Sequence, residues 1–402
     1  MSEVIVDRRA QSAQTISNSF LAENREPRLL YLDALRGLIM ILMAVDHASY
    51  FIAHQHPAEF WGQPLPEYAS ALPFLTRFVT HFCAPGFFFL MGIGMMLFAE
   101  SRRQLGWTES AIRKHFLTRG ALLIVLQLFI ENPAWVLGPA AELGSHPPGG
   151  GSEVLLHFGV LYGLGASMIV CAFLLRLNAI VLAIISLLAV LLTQALIPGA
   201  ENAATLYSPL PRLLLIPGHT NLVQVFYPLI PWLGLAVFGL IFVRWIMVNP
   251  AAIPRKAALI GVGFLLLFLL MRLGGGFGNI HPVSFSSWIT FLNVTKYPPS
   301  LAYILLTLGV DLLVLALFAR METTLRHWAK PLFVFGQTAL FFYLVHLYLY
   351  AVMGLTFAPA GGTSLGWMYA YWAGGLVLLY LLCVWYRTFK QSTAPNSVWR
   401  FF

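Results

Sequence analysis

The chain has 402 residues, of which 59% are hydrophobic and only 10% are charged. A soluble domain carries about 25% charged residues, so this composition excludes an ordinary soluble protein and is typical of a membrane protein. A net charge of +8 is also found in proteins that bind nucleic acids. However, no segment combines basic and aromatic residues into a nucleic-acid surface, and we expect no such partner.

Apolar segments recur along the chain, and a helix needs about 20 such residues to cross the hydrocarbon of a bilayer. We therefore predict an all-α, polytopic membrane protein. Its expected spans, about ten in number, lie near residues 30–53, 72–99, 117–137, 153–174, 177–197, 221–243, 256–273, 299–319, 331–353 and 366–386. They form one transmembrane domain over residues 29–388. Residues 1–28 are polar and lack the apolar core of a signal peptide, so we expect a flexible cytoplasmic tail there and a second one over residues 389–402.

The distribution of positive charge predicts the orientation. If ten spans separate two cytoplasmic termini, 20 of the 24 Lys and Arg residues fall on the inner side. The four others are Arg77, Arg212, Arg272 and Lys296. This asymmetry is the one that the positive-inside rule describes, so the excess charge is mainly a topology signal.

The connections predicted on the outer side are longer and rich in Pro, Gly, His and aromatic residues. They cover residues 54–71, 138–152, 198–220, 274–298 and 354–365. Loops held by a rigid scaffold commonly carry recognition, so we expect semi-ordered or re-entrant segments that cover an outer cavity. The histidines within these loops are expected to be solvated; they are His54, His56 and His146.

Ionisable residues inside a span are costly, so each one needs a partner or a function. The first span places Arg36 near its inner boundary and His47 in its outer half, eleven residues apart. Eleven residues are three helical turns, so both side chains share one face about 16 Å apart along the axis. Asp33 either caps this helix or pairs with Arg36.

Other polar residues fall at the predicted depth of His47. Arg77 and His81 form an i, i+4 pair in the outer half of the second span. The same level holds four residues of other spans, namely Glu131, Asn132, His157 and His346. From depth alone, we predict one polar cavity that opens outward.

Simpler roles compete with this interpretation. A lone histidine in an apolar span is more often a hydrogen-bonded packing residue than a catalyst. Asp46 could orient the neighbouring imidazole of His47, but adjacent residues on a helix do not face each other, so it could instead serve His81 or Arg77. No ligand spacing indicates a metal, and we expect none. The three cysteines, each within a span, are expected to be buried small hydrophobic residues rather than disulfides; they are Cys83, Cys171 and Cys383.

The segment "LLYLDALRGLIMILMAVDHA" (29–48) resembles the first helix of the transmembrane acyltransferases, with Leu-Asp-x-x-Arg-Gly and an Arg-x10-His spacing. Five later motifs resemble the bacterial branch related to heparan-α-glucosaminide N-acetyltransferase. They are "ENPAWVLGP" (131–139), "LLHFGVLYGLG" (155–165), "YPLIPWLGL" (227–235), "KYPPSLAYILLTLG" (296–309) and "FFYLVHLYL" (341–349). The likeness runs in order over residues 28–386.

This resemblance implies an enzyme of the bacterial cytoplasmic membrane that moves an acyl group, typically acetyl, from cytoplasmic acyl-CoA to a sugar on the outer side. It associates Arg36 with acyl-CoA and His47 with catalysis. We expect the CoA phosphates to be held by cations at the inner mouth; these are Arg36, Arg113, Lys114 and Arg119. His47 would be a general base oriented by Asp46 or another carboxylate, and the developing oxyanion would be stabilised by His81, Asn132 or Arg77. The acceptor site would further include Glu131, His157 and His346.

Two features depart from that family's pattern. The lysosomal branch has a histidine before its Pro-containing second helix, whereas residues 66–80 contain none, and His81 stands where that branch has an acidic residue. Direct transfer in a ternary complex is therefore expected rather than an acyl-histidine intermediate. The alternative is a non-catalytic transporter or lipid carrier, which would favour inverted repeats that this sequence does not show. Membrane lipids are expected partners in either case, and a homo-oligomer is compatible with both.

Overall fold

Helices make up most of the computed structural model, which describes residues 29–139, 156–197, 209–220, 223–394 and 397–401. The first half contains α1 (Leu30–Phe51), α2 (Ala71–Phe78), α3 (Cys83–Gln104), α4 (Glu109–Leu126), α5 (Asn132–Val136), α6 (Val160–Leu174), α7 (Ala179–Leu196) and α8 (Pro209–Leu214). The second half contains α9 (Leu229–Val248), α10 (Ile253–Gly274), α11 (Trp288–Leu292), α12 (Leu301–Arg320), α13 (Glu322–Trp328), α14 (Lys330–Gln337), α15 (Ala339–Phe357) and α16 (Leu365–Ser392).

Short helical segments of other types join some of these helices. A 3₁₀ turn at Val79–Phe82 connects α2 to α3, and a π-helical segment at Gln127–Glu131 connects α4 to α5. Two further 3₁₀ turns occupy Pro250–Ala252 and Val398–Phe401. α2 and α3 therefore continue as one helix over Ala71–Gln104, and α4 and α5 as another over Glu109–Val136.

The prediction of an all-α polytopic membrane protein is confirmed. Eight helices in the described part of the chain are long and apolar enough to cross a membrane. They are Ala71–Gln104, Glu109–Val136, Ala179–Leu196, Leu229–Val248, Pro250–Gly274, Leu301–Arg320, Ala339–Phe357 and Leu365–Ser392. The first and fourth predicted spans fall on α1 and α6, which are helices outside this set of eight, and α6 has only 15 residues.

Two predicted spans begin too early. Residues 156–158 and 223–225, assigned to the fourth and sixth spans, are instead the strands β1 (Leu156–Phe158) and β3 (Val223–Val225). β3 lies between β1, which it pairs in parallel, and β2 (Gly218–His219), which it pairs antiparallel. Short apolar runs do not distinguish strand from helix by hydropathy, which explains the error.

The predicted ninth span is also divided. α14 ends at Gln337, Thr338 has a non-helical backbone, and α15 starts at Ala339. At the end of the chain, the predicted tail over residues 389–402 overlaps α16, which continues to Ser392. Residues 1–28, most of the 138–152 loop with His146, and much of the 198–220 loop lie outside the described residues.

α1 lies at the centre of the bundle, in contact with α3, α12, α14, α15 and α16. Close helix packing elsewhere depends on small residues, as is usual in membranes. At the crossing of α3 and α9, Gly92 and Gly239 face each other's helix. A Cβ added at Gly92 would lie 2.0 Å from the carbonyl oxygen of Ala236, and one at Gly239 would lie 2.2 Å from that of Phe89. The three cysteines are buried and free, as predicted.

We predict that Gly92→Ala destabilises the fold, because a methyl group 2.0 Å from a backbone oxygen forces α3 and α9 apart. The expected cost is about 1–3 kcal/mol, measured as a lower thermal unfolding midpoint in detergent. Gly94→Ala is the matched control on the same helix, since its added Cβ has nothing within 4 Å. Equal midpoints for the two variants would contradict this account of the crossing.

Candidate functional site

A buried guanidinium joins two carboxylates near one end of α1. Arg77 Nη1 lies 2.7 Å from Asp46 Oδ1. On its other side, Arg77 Nε and Nη2 each donate to Glu59 at 2.9 Å. Arg77 is 4% exposed and Glu59 is fully buried. Two-pronged pairing of this kind is the geometry at which a guanidinium binds a carboxylate best.

Local structure fixes each member of this cluster. Asp46 projects from α1 and Arg77 from the last turn of α2. Glu59 lies in the 52–70 connection, where its carbonyl oxygen accepts the backbone N–H groups of Lys296 and Tyr297 at 3.1 and 3.0 Å. Burial opposes ionisation of Glu59, but the charges of Arg77 and His81 outweigh it, so the pKa of Glu59 is held well below its ordinary value.

His81 completes what we call the Arg77 cluster (Asp46, Glu59, Arg77 and His81). Its Nε2 lies 3.3 Å from Glu59 Oε2, but the angle is unsuited to a hydrogen bond, and both ring nitrogens are buried without one. The backbone carbonyl of His81 accepts the hydroxyl of Tyr303 at 2.7 Å. The structure therefore brings together the predicted i, i+4 pair of Arg77 and His81 around a carboxylate that the sequence did not single out.

Asp46 does not contact its neighbour His47. Besides Arg77, it faces His56 Nε2 at 3.3 Å and accepts the Thr80 hydroxyl at 3.2 Å. This is the alternative in which Asp46 serves Arg77, and the expectation that Asp46 orients His47 is wrong. Successive side chains on a helix point roughly 100° apart, which explains the separation. His56, expected to be solvated, is half-buried against this carboxylate.

His47 instead pairs with His346 on α15, as the shared depth of the two residues suggested. His47 Nδ1 and His346 Nε2 are 2.6 Å apart, and His346 Nδ1 lies 3.0 Å from the carbonyl oxygen of Phe342. A carbonyl can only accept, so neutral His346 carries its proton on Nδ1 and accepts at Nε2. His47 must then donate from Nδ1, which leaves the lone pair of a neutral ring on its Nε2. That nitrogen makes no hydrogen bond to the described residues.

Aromatic side chains pack around this histidine pair (His47 and His346). The ring of Trp135 meets His47 edge-on at 5.1 Å between centroids, and Tyr343 does so at 6.3 Å. Trp135 Nε1 donates to Glu131 Oε1 at 3.1 Å. Glu131 ends the π-helical segment Gln127–Glu131, a type of distortion that is frequent at functional sites. Glu131 therefore reaches the histidine pair through Trp135.

The remaining two residues predicted at this level lie elsewhere. Asn132 accepts the side-chain amide of Gln127 at 3.0 Å. His157 lies on β1, opposite Gln224 of β3, and its ring packs on Phe226 at 5.0 Å. Burial lowers the pKa of His157 to about 4. Both residues contribute to local packing rather than to the surroundings of His47.

Two separate cavities are lined by residues that adjoin His47. The Arg77 cavity has a volume of about 480 Å³ and is lined by Asp46, Ser49, His54, Gln55, His56, Pro57, Pro64, Pro66, Glu67, Tyr68, Ala69, Pro73, Thr76, Arg77 and Leu365. The Arg36 cavity has a volume of about 330 Å³, and its walls include Arg36, Met40, Phe87, Met91, His115, Arg119, Gln337, Tyr343 and Lys390. Asp46 lines the first and Tyr343 the second. His47 follows Asp46 in the chain, and its ring packs against that of Tyr343.

The Arg36 cavity has a cationic mouth. Arg36 pairs with Asp33 at 3.0 Å and donates to the Gly336 carbonyl at 3.2 Å. Arg119 donates to the Phe401 carbonyl at 3.2 Å, and Lys390 lines the same cavity. The predicted pairing of Asp33 with Arg36 is therefore present.

Two of the four cations predicted to hold CoA are absent from this mouth. Arg113 lies on the exposed face of α4, with its guanidinium 5.3 Å from the centre of the Phe173 ring. Lys114 is also exposed. Neither side chain lines the Arg36 cavity. Among the described residues, no group of three or more His, Cys, Asp or Glu side chains could hold a metal ion.

Sequence reasoning missed Glu59, His56, Trp135, Tyr343 and Lys390. Glu59 and His56 lie in a connection to which hydropathy assigns no depth. Trp135 and Tyr343 resembled ordinary interfacial aromatics. Lys390 fell in the predicted tail, although four residues of that tail belong to α16.

A comparison with protein families matches residues 28–272 to heparan-alpha-glucosaminide N-acetyltransferase, catalytic. The match covers more than half of the chain. The chain belongs to this family. Its members are membrane acyltransferases, so the family places this integral membrane protein among the transferases. The matched region contains Arg36, His47 and the whole Arg77 cluster, and it ends before His346. A comparison with curated proteins gives no match.

We predict that Arg77→Gln strongly destabilises this acetyltransferase-family protein. The change leaves the buried carboxylate of Glu59 and the partly buried carboxylate of Asp46 without their counter-ion; breaking a buried pair typically costs about 3–5 kcal/mol. The measurement is the thermal unfolding midpoint of the purified protein at neutral pH. Arg326→Gln is the matched control, because Arg326 also pairs with a glutamate, Glu322, but at an exposed position. A similar small change in both variants would show that the cluster does not stabilise the fold.

Proposed function

We propose that this protein transfers an acetyl group from acetyl-CoA in the Arg36 cavity to a sugar or amino sugar in the Arg77 cavity. The observation that carries the proposal is that His47 adjoins a residue of each of two cavities of different chemistry: it follows Asp46 of one in the chain and packs on Tyr343 of the other. One cavity has a cationic mouth and apolar walls, and the other is lined by histidines, carboxylates and prolines. Only the acyl group has to pass from one side to the other.

The Arg36 cavity suits the donor. Arg36, Arg119 and Lys390 surround its mouth, and guanidinium groups are well matched to the phosphates of CoA. Met40, Phe87 and Met91 supply an apolar wall for the pantetheine arm. Tyr343 forms the far end beside His47, so a thioester reaching that residue would lie next to the histidine pair.

His47 is the proposed general base. Its Nε2 carries the lone pair of the neutral ring, because Nδ1 donates to His346. That nitrogen removes the proton from the acceptor amine or hydroxyl as it attacks the thioester carbonyl. His346 holds the ring in the required tautomer. His56, paired with Asp46 at the wall of the Arg77 cavity, would bind the acceptor.

Direct transfer in a ternary complex follows from this arrangement. Donor and acceptor approach from separate cavities, so both can be bound when the acceptor attacks, and no acyl-histidine is required. The positive-inside distribution of Lys and Arg supports a cytoplasmic Arg36 cavity and an outward-facing Arg77 cavity in a bacterial cytoplasmic membrane. A transporter that uses the same cavities is the alternative, and it would move a solute without consuming acetyl-CoA.

We predict that His47→Ala lowers acetyl transfer by about 100-fold or more, the usual cost of removing a general base. The assay follows radiolabelled acetyl-CoA with a panel of amino sugars that includes glucosamine. His157→Gln, which changes a histidine distant from the pair, is the control and should retain activity. If the wild-type protein transfers acetyl to no acceptor and releases no CoA, the enzyme proposal fails.

We predict that Arg36→Gln and Arg119→Gln each raise the KM for acetyl-CoA by about tenfold or more, because each removes a charged hydrogen bond to phosphate. The value of kcat should change much less. Arg113→Gln and Lys114→Gln are matched controls on α4 that lie outside the cavity, so their KM should remain at the wild-type value. An unchanged KM in the first pair would rule out the Arg36 cavity as the CoA site.

A further inference from the structure

The 3₁₀ turn that follows α16 packs onto the mouth of the Arg36 cavity. We call this segment, Val398–Phe401, the 398–401 turn. The backbone carbonyl of Phe401 accepts Nη2 of Arg119 on α4 at 3.2 Å. The guanidinium carbon of Arg119 also lies 5.8 Å from the centre of the Phe401 ring. One residue of the turn therefore contacts a proposed phosphate ligand in two ways.

The same phenylalanine stacks on a second residue of the cavity wall. The rings of Phe401 and His115 are 5.6 Å apart between centroids, and Phe98 stacks on His115 at 4.4 Å. Phe98, His115 and Arg119 all line the Arg36 cavity. His115 Nε2 is buried without a hydrogen bond to the described residues, which costs free energy. The docked turn therefore covers the wall but leaves one of its polar atoms without a partner.

The 398–401 turn is held to α16 mainly by polar contacts. The Tyr386 hydroxyl donates to the Trp399 carbonyl at 2.6 Å. Arg400 Nε and Nη2 donate to the Thr393 carbonyl at 3.2 and 2.7 Å. The side chains of Val398 and Trp399 are 58% and 54% exposed. A segment that buries so little apolar surface opens at a low free-energy cost.

We propose that the 398–401 turn is an autoinhibitory contact, which occupies Arg119 and His115 until the nucleotide end of CoA displaces it. A guanidinium binds an anionic phosphate about twice as strongly as a neutral carbonyl, so a phosphate can replace the Phe401 carbonyl on Arg119. A purine base is also a flat aromatic ring, and it can replace the Phe401 ring on His115. The inference rests on the proposed CoA site and adds to it a competitor within the chain.

The test loosens the turn with Tyr386→Phe, which removes a hydrogen bond to it at a residue outside the cavity wall. The Kd for CoA, measured by calorimetry in detergent, should fall by about two- to tenfold, because less of the protein is held in the closed form. The KM for acetyl-CoA should fall likewise, with kcat unchanged. Phe401→Ala should act in the same direction. Tyr380→Phe is the matched control on α16, since the Tyr380 hydroxyl has no hydrogen bond to the described residues.

Displacement of the turn is measured separately with a nitroxide attached to Val398→Cys. The three native cysteines are buried, so the label goes to the exposed position in the turn. Saturating CoA should narrow the spectrum, because a displaced turn is more mobile than a docked one. A spectrum that saturating CoA leaves unchanged would overturn the inference.

The affinities decide between competition and a supporting role for the turn. An unchanged Kd for CoA in both Tyr386→Phe and Phe401→Ala would overturn the inference, and a higher Kd would make the turn part of the CoA site instead. If Tyr386→Phe fails to fold, Phe401→Ala alone decides. Wild-type protein that binds CoA but transfers no acetyl group would contradict only the proposed transfer. Wild-type and variant proteins that all fail to bind CoA would overturn both.

Discussion

The pairing of Arg77 with Asp46 and Glu59 is the interaction on which the site depends. It ties α1, α2 and the 52–70 connection at one buried point, at N–O distances of 2.7–2.9 Å. Since the Glu59 carbonyl also accepts two backbone N–H groups from the segment before α12, four parts of the chain meet there. Charged groups of this kind are tolerated in an apolar bundle only when each is paired. The cluster therefore fixes the wall of the Arg77 cavity and the position of the end of α1 that carries His47.

The histidine pair depends on a second set of constraints. The break at Thr338 separates α14 from α15, so α15 starts a new helix that presents His346 to α1. The His346 Nδ1 proton is held by the Phe342 carbonyl one turn earlier. A regular helix thus determines the tautomer of His346, and His346 determines that of His47. The basic nitrogen of His47 is set by backbone geometry and needs no carboxylate.

The sequence predicted the order of the site residues along α1 better than their contacts with other helices. The eleven-residue spacing of Arg36 and His47 correctly separates a residue of the Arg36 cavity from one beside the Arg77 cavity. Helical phase would also have excluded Arg113 and Lys114, which lie about 240° and 140° around α4 from Arg119 at roughly 100° per residue. His115, four residues before Arg119, shares its face and lines the cavity. Glu59 could not be found in this way, because a connection between helices has no periodicity that assigns a depth.

The packing between the two cavities has a chemical consequence. His47 contacts the rings of His346, Trp135 and Tyr343 at centroid distances of 4.8–6.3 Å; Tyr343 lines the Arg36 cavity, and His47 follows Asp46 of the separate Arg77 cavity. A thioester reaching this layer would be shielded from the Arg77 side until an acceptor filled that cavity. Excluding water in this way strengthens the electrostatic interactions inside and suppresses hydrolysis of the donor. The cationic mouth retains the CoA phosphates on one side, so the acyl carbon is the part of the donor that has to meet the acceptor. A layer of rings between two differently charged cavities is thus suited to group transfer, whereas transport of a whole solute would require that layer to open.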